Sequence, residues 1–155
     1  MTIFHKTILP ITLLLVLLLA GTTASAFFRN KFKLLTPSEG NLLIPIKTLN
    51  DGKAHYFQVN ADDGTRVDFF LVQSEDGVIR AAIDSCDVCY RSGKGYVQDG
   101  NVMICTNCNR RFGTERINVV KGGCNPAPLA RTIAGKMLVI SMQDINTNAW
   151  YCKFK

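Results

Sequence analysis

The chain has 155 residues, six of them cysteine, and a formal net charge of +6 at pH 7. A chain of this length has room for one ordinary domain, which argues against a second independent core. A net positive charge favours binding to nucleic acid or to an anionic surface. The N-terminal pattern described next predicts export, which argues against nucleic acid as a partner.

The first 26 residues resemble a secretory signal peptide in their pattern. His5 and Lys6 precede a nearly unbroken apolar run from Ile8 to Ala20, and Ala24-Ser25-Ala26 supplies the small residues of a cleavage site. We predict cleavage after Ala26. An uncleaved membrane anchor is the alternative, because the run approaches the roughly 20 residues that span a bilayer. In both cases the remaining chain is expected to be exported, to the periplasm or the extracellular space.

Residues 27–36 are predicted to link this segment to a domain at 37–155. The stretch from Phe27 to Lys33 mixes aromatic and basic side chains, which is typical of segments at a membrane surface. Peripheral membrane contact and a solvated linker are both open interpretations.

From Asn41 onwards, short apolar runs alternate with turn residues such as Asn50-Asp51-Gly52 and Asp76-Gly77, at intervals expected of hairpins. Val67 to Val72 is apolar on both faces, as a central strand would be. The pattern predicts a mainly β fold: a small single β-rich domain with a cysteine-rich metal-binding insertion, or, as the alternative, an α+β domain. The predicted strands are 42–49, 55–59, 67–73, 78–84, 102–105, 117–120 and 137–142.

The cysteines follow a regular plan. Cys86 and Cys89 form one Cys-x-x-Cys pair, and Cys105 and Cys108 form a second pair fifteen residues later. This spacing is typical of a tetrathiolate metal site, because a two-residue turn aims both sulfurs at one ion. Cys124 follows after fifteen more residues. Five thiolates exceed what one tetrahedral ion accepts, so a second ion or a two-metal centre is open.

The residues that are missing exclude some cofactors. A c-type haem needs a histidine after the second cysteine, where Tyr90 and Asn109 stand. A Rieske cluster needs two histidine ligands, and His55 is the only histidine after the signal segment. Iron, an iron-sulfur cluster, zinc and copper remain. Because disulfides persist outside the cell, three disulfides between the six cysteines are the alternative to a metal site. Cys152 is either a spare thiol or a cross-link to Cys124.

Three further residues are candidates for the site. Asp84 lies two residues before Cys86, so continued strand geometry would place both side chains on one face. Asp84 could then ligate the metal or orient its ligands, and a solvent-facing Asp is the plain alternative. Tyr90 and Tyr96 could shield the sulfurs from water, or serve only in packing.

Several segments together resemble one known family. They are Ala81 to Tyr90, Gly95-Tyr96, Cys105-Thr106-Asn107-Cys108, Arg110-Arg111-Phe112 and Gly122 to Leu129. Over roughly Pro37 to Asp144 the chain is similar to the FtrD-like family of membrane-associated iron-sulfur proteins. The resemblance implies an extracytoplasmic, iron-sulfur-containing domain associated with iron transport.

These observations predict a metal-binding accessory protein rather than an enzyme. We expect electron transfer or metal handling, in exchange with a membrane iron-transport or redox partner. Two alternatives remain: a binding module that zinc or disulfides hold together, and a thiol-disulfide exchange protein.

Overall fold

The computed structural model describes residues 31–155. The predicted signal segment 1–26, its cleavage, and residues 27–30 of the predicted linker lie outside this range. Within it, no helix is long and apolar enough to cross a membrane.

Ten strands in three sheets dominate the described chain, which confirms the mainly β prediction. The strands are β1 (Lys33–Leu34), β2 (Asn41–Pro45), β3 (His55–Asn60), β4 (Arg66–Gln73), β5 (Ile79–Ile83), β6 (Tyr96–Asp99), β7 (Val102–Cys105), β8 (Arg111–Gly113), β9 (Thr132–Ala134) and β10 (Met137–Ser141). One helix, α1 (Met142–Asn148), follows β10, and a 3-10 turn, Ala149–Cys152, follows α1. Shorter 3-10 turns lie at Ile46–Thr48, Tyr90–Ser92 and Thr114–Arg116.

The sheet β1-β3-β4-β5 is the centre of the fold. Strand β4 is buried on both faces, as its apolar sequence predicts. Phe69 packs in one hydrophobic core, where its ring stacks on Phe57 at 5.5 Å between centroids. Phe70 points into the other core and lies beside Tyr96. One strand therefore supports both cores, because successive side chains of a strand point to opposite faces.

The two smaller sheets belong to different cores. The sheet β2-β10-β9 contributes Leu42, Leu138 and Ile140 to the Phe69 core. The sheet β6-β7-β8 contributes Tyr96 and Met103 to the Phe70 core, together with cysteines. The cysteine-rich sequence therefore forms a three-stranded layer on one face of the central sheet.

One predicted strand and some predicted strand boundaries are wrong. Residues 117–120 form a turn, with Asn118 at φ 65°. Ile117 is nevertheless fully buried, which explains the strand-like apolar pattern. Strand β2 ends at Pro45, before a 3-10 turn, and Met142 begins a helix whose N-cap is Ser141. The sequence pattern had missed β1, β6, β8, β9 and this helix.

Replacement of Phe69 by alanine should lower the free energy of unfolding by about 3 to 5 kcal/mol, because the ring is fully buried and leaves a cavity. Chemical denaturation of the variant measures the loss. Val97→Ala is the control: Val97 is 43% exposed in β6, so its free energy of unfolding should change by less than about 1 kcal/mol. Equal losses in both variants would contradict the assigned core.

Candidate metal centre

Three loops bring five cysteines together on one side of the Phe70 core. Cys86 and Cys89 follow β5, and Cys105 ends β7. Cys108 lies in the turn between β7 and β8, and Cys124 lies in the long loop before β9. Tyr96 of β6 pairs with Cys105 of β7, and the Tyr96 amide donates to Asp84, which lies two residues before Cys86. The small sheet therefore connects the second cysteine pair to the first.

The sulfur atoms form two compact groups. Those of Cys86, Cys89 and Cys124 lie within 4.8 Å of one another, and so do those of Cys89, Cys105 and Cys108. Cys89 belongs to both groups. Two ligands of a tetrahedral ion with 2.3 Å metal-sulfur bonds lie roughly 3.8 Å apart, so sulfurs within 4.8 Å of one another can reach a common ion after a small movement. All five cysteines that the sequence singled out are brought together.

Hydrogen bonds to sulfur stabilise the turns around these cysteines. The Cys89 amide donates to Sγ of Cys86 over 3.2 Å, and Nδ2 of Asn107 donates to Sγ of Cys89 over 3.4 Å. Asn109 follows Cys108 in the left-handed region, at φ 58°. Such N–H donors delocalise the charge of a thiolate, which favours metal binding.

Burial differs across the group. Cys86 and Cys105 are buried, Cys89 and Cys124 are half-buried, and Cys108 is exposed. Burial raises the pKa of the Cys105 thiol, whereas the amide of Arg110 lowers the pKa of the Cys108 thiol by donating to its sulfur. The group therefore has a buried side and one edge open to solvent at Cys108.

Asp84 is buried, with 1% exposure, and lies outside both sulfur groups. One of its carboxylate oxygens accepts the Tyr96 amide over 2.8 Å, and the other lies 3.1 Å from Nζ of Lys155 and 3.4 Å from Nζ of Lys31. The solvent-facing alternative is therefore wrong. A Cβ at Gly95 would overlap the Asp84 carboxylate, so only glycine fits beside it. The arrangement supports an orienting role for Asp84, while its role as a ligand stays a prediction.

Sequence reasoning missed the partners of Asp84. Lys155 is a buried lysine that also lies 3.2 Å from Asp68, whose carboxylate accepts from Gln58. Burial lowers the pKa of Lys155, but Asp84 and Asp68 outweigh it and raise the pKa above its ordinary value. The one sequence signal was Asp68 itself, a carboxylate within a strand that is apolar on both faces. Nothing local pointed to a lysine 71 residues from Asp84.

The two tyrosines have different surroundings. Tyr96 is fully buried in the cysteine-containing core, and its hydroxyl donates to the Cys124 carbonyl over 2.6 Å. Burial and the neighbouring thiols raise its pKa. Tyr90 follows Cys89 directly, but its ring packs on Trp150 and Phe154. Tyr96 is therefore placed to shield the sulfurs, whereas Tyr90 faces away from that core.

Cys152 lies apart from the other cysteines. It is buried in the Phe69 core, and burial raises the pKa of its thiol to about 11. Cys124 packs against the other core, so of the two alternatives for Cys152 the cross-link to Cys124 is not formed. All six cysteines are free thiols.

The donor set fits a thiophilic metal. Five thiols from three loops converge with N–H donors at their sulfurs, and soft thiolate ligands favour iron-sulfur, zinc or copper centres. The fold and site thus define a small β-rich domain with a candidate thiolate metal centre.

A family model described as "Membrane iron-sulfur containing protein FtrD-like" matches residues 49–152. The chain belongs to this FtrD-like family, as its cysteine motifs predicted. No curated protein matches the chain.

Among solved structures, the chain is similar to the quaternary ammonium Rieske monooxygenase CntA, crystallised with an inhibitor. The identity is 15% and the TM-score is 0.43, over 64% of this chain and 30% of that one. The chain thus spans about a third of the length of that structure.

Asp84→Asn should lower the free energy of unfolding by roughly 3 kcal/mol, because it removes one of the two carboxylates that pair with the buried Lys155. The Asn side chain can still accept the Tyr96 amide, so if Asp84 only orients the loops, the folded variant should bind as much metal as the parent chain. Denaturation and metal analysis of one preparation measure both quantities. Unchanged stability with loss of metal would instead make Asp84 a ligand.

Tyr96→Phe should lower the free energy of unfolding by about 1 to 2 kcal/mol, because the Cys124 carbonyl loses its hydroxyl donor. Denaturation measures the loss. The control is Tyr90→Phe. Within residues 31–155 the Tyr90 hydroxyl accepts one hydrogen bond, from the exposed Arg91, so the free energy of unfolding of this variant should change by less than about 0.5 kcal/mol. Equal stability of the Tyr96 variant and the parent chain would contradict the hydrogen bond.

Proposed function

We propose that this protein is an exported thiolate-metal protein that transfers electrons or handles metal in iron transport. Iron, as an iron-sulfur cluster or as bound ions, is the proposed metal. The observation that carries the proposal is the convergence of five free thiols in two groups that share Cys89. The family description, a membrane iron-sulfur containing protein, supports iron over zinc or copper.

The exposed edge of the site at Cys108 supports an exchange function. A partner that exchanges electrons or metal has to approach the site closely, so one edge of the site has to lie at the surface. Here Cys86 and Cys105 are buried, but Cys108 is exposed. Electrons or metal could therefore pass to a partner over a short distance at the Cys108 edge. The proposed partner is a membrane iron-transport or redox protein.

The residues of this chain would each have a defined task. Cys86, Cys89, Cys105, Cys108 and Cys124 would hold the metal, which would supply the redox chemistry. Buried Tyr96 would exclude water from the inner sulfurs, and the amides that donate to sulfur would favour the thiolate over the thiol. Asp84 would orient the loop of Cys86 through the Tyr96 amide.

The test is metal content and visible absorption of the chain purified without oxygen, compared with two variants. Cys89→Ser should lose at least about half of the metal and most of the visible absorption, because Cys89 belongs to both sulfur groups. Cys152→Ala is the matched control, a cysteine removed outside both groups, and should keep the metal and the spectrum.

The outcomes separate the candidate functions. Iron with an absorption that changes on reduction supports the proposal. Stoichiometric zinc without visible absorption would instead favour a structural module. A metal-free chain without free thiols would overturn the proposal, and turnover of a model disulfide would favour thiol exchange.

A further inference from the structure

An exposed aromatic patch lies beside the Cys86–Cys89 loop. We define it as Tyr90, Arg91, Trp150 and Phe154, which pack on one another, together with Val88, which lies two residues before Tyr90 in that loop. Val88 is 63% exposed, Trp150 is 42% exposed and Phe154 is 55% exposed. Large apolar side chains this exposed at one place cost solvation free energy, so a cluster of them marks a surface that contacts something else.

The patch is ordered by its own packing. The ring of Tyr90 meets Trp150 at 5.2 Å and Phe154 at 5.7 Å, edge to face in both cases. The guanidinium of Arg91 lies 5.7 Å from the Tyr90 ring and 5.9 Å from the Phe154 ring. The patch therefore combines aromatic faces with a fixed positive charge.

The patch is also attached to the cysteine loop. Val88 lies between Cys86 and Cys89, and Tyr90 follows Cys89 directly. The hydroxyl of Tyr151 donates to the carboxylate of Asp87 in the same loop. Contact at the patch would consequently occur next to the candidate metal centre.

The N-terminal side of the described chain reaches the same part of the domain. Lys31 and Lys155, which follows Phe154, both pair with the Asp84 carboxylate, and Nζ of Lys155 lies 5.6 Å from the Phe32 ring. Ten residues separate the apolar run that ends at Ala20 from Lys31. Ten extended residues reach at most roughly 35 Å.

The geometry points to an anionic lipid surface as the partner of the aromatic patch. Tryptophan and tyrosine with arginine favour the boundary between lipid headgroups and acyl chains, where the rings are apolar and the charge meets phosphate. A stable protein–protein interface has about 20 to 30 residues on each side. The patch has five, which is few for such an interface. A weak contact of this size becomes effective when a second segment of the chain also binds the membrane.

The sequence before Lys31 offers such a second segment under either prediction for the signal peptide. An uncleaved apolar run would anchor the chain, and cleavage after Ala26 would leave Phe27, Phe28 and Arg29 just ahead of Lys31. With the patch on the membrane, the Cys86–Cys89 loop lies next to the lipid surface, within reach of membrane proteins. The inference does not depend on which metal the thiols bind.

Trp150 makes the proposal directly measurable, because it is the only tryptophan of the chain. The full chain is reconstituted into vesicles of phosphatidylcholine and phosphatidylglycerol, with and without bromine on the acyl chains. Bromine quenches only fluorophores that enter the bilayer. We expect brominated vesicles to quench Trp150, less so without phosphatidylglycerol or at 1 M salt, where the Debye length falls to about 3 Å.

The matched variants are a double substitution in the patch, Arg91→Glu with Phe154→Ser, and Lys136→Glu outside it. Lys136 is exposed between β9 and β10, so its charge reversal should leave quenching unchanged. The patch variant should lose most of the quenching, and circular dichroism verifies that it is folded. Equal Trp150 emission in brominated and unbrominated vesicles would overturn the proposal, as would full quenching of the folded patch variant.

Metal analysis of the same samples keeps the two proposals apart. A metal-free chain with quenched Trp150 overturns only the proposed function. A chain with bound iron and unquenched Trp150 overturns only the membrane contact, and the patch is then a protein-binding surface.

Discussion

The buried carboxylate of Asp84 is the interaction on which the position of the cysteine loops depends. It joins the end of β5 to the first amide of β6 and to two lysines from opposite ends of the described chain. A buried carboxylate is costly unless it is paired and hydrogen-bonded, so these partners hold one another in place. Because Cys86 lies two residues beyond Asp84, and Tyr96 pairs with Cys105, this one group fixes the strands that carry two ligand loops.

The same arrangement relates the candidate metal centre to the surface of the domain. Tyr96 lies on the inner side of the cysteines, with its hydroxyl on the Cys124 carbonyl, and Cys108 lies on the outer side. The loop of Cys86 and Cys89 carries Val88 and Tyr90 of the aromatic patch. Under the proposed function, the open edge and the nearby aromatic surface would allow exchange with a partner at a membrane.

The sequence was most informative where a pattern has one physical cause. The cysteine spacing predicted the five converging thiols, and the double-sided apolar run predicted the central strand β4. It was least informative where contacts are long-range: Lys155 and Asp84 are 71 residues apart. The apolar Ile117 led to a predicted strand at 117–120. It lies in a turn and is buried there, because a buried side chain does not require a strand. For Asp84 the sequence left three roles open, a ligand, an orienting residue or a solvent-facing residue, because its lysine partners are distant in the chain and give no local signal.

X-ray absorption at the edge of the bound metal, on the chain purified without oxygen, tests the central claim most directly. It reports which atoms surround the metal without relying on any variant. The account predicts iron surrounded mainly by sulfur, with no histidine nitrogen among its neighbours. A first shell of nitrogen and oxygen, or a chain that binds no metal while its thiols are reduced, would contradict the thiolate metal centre.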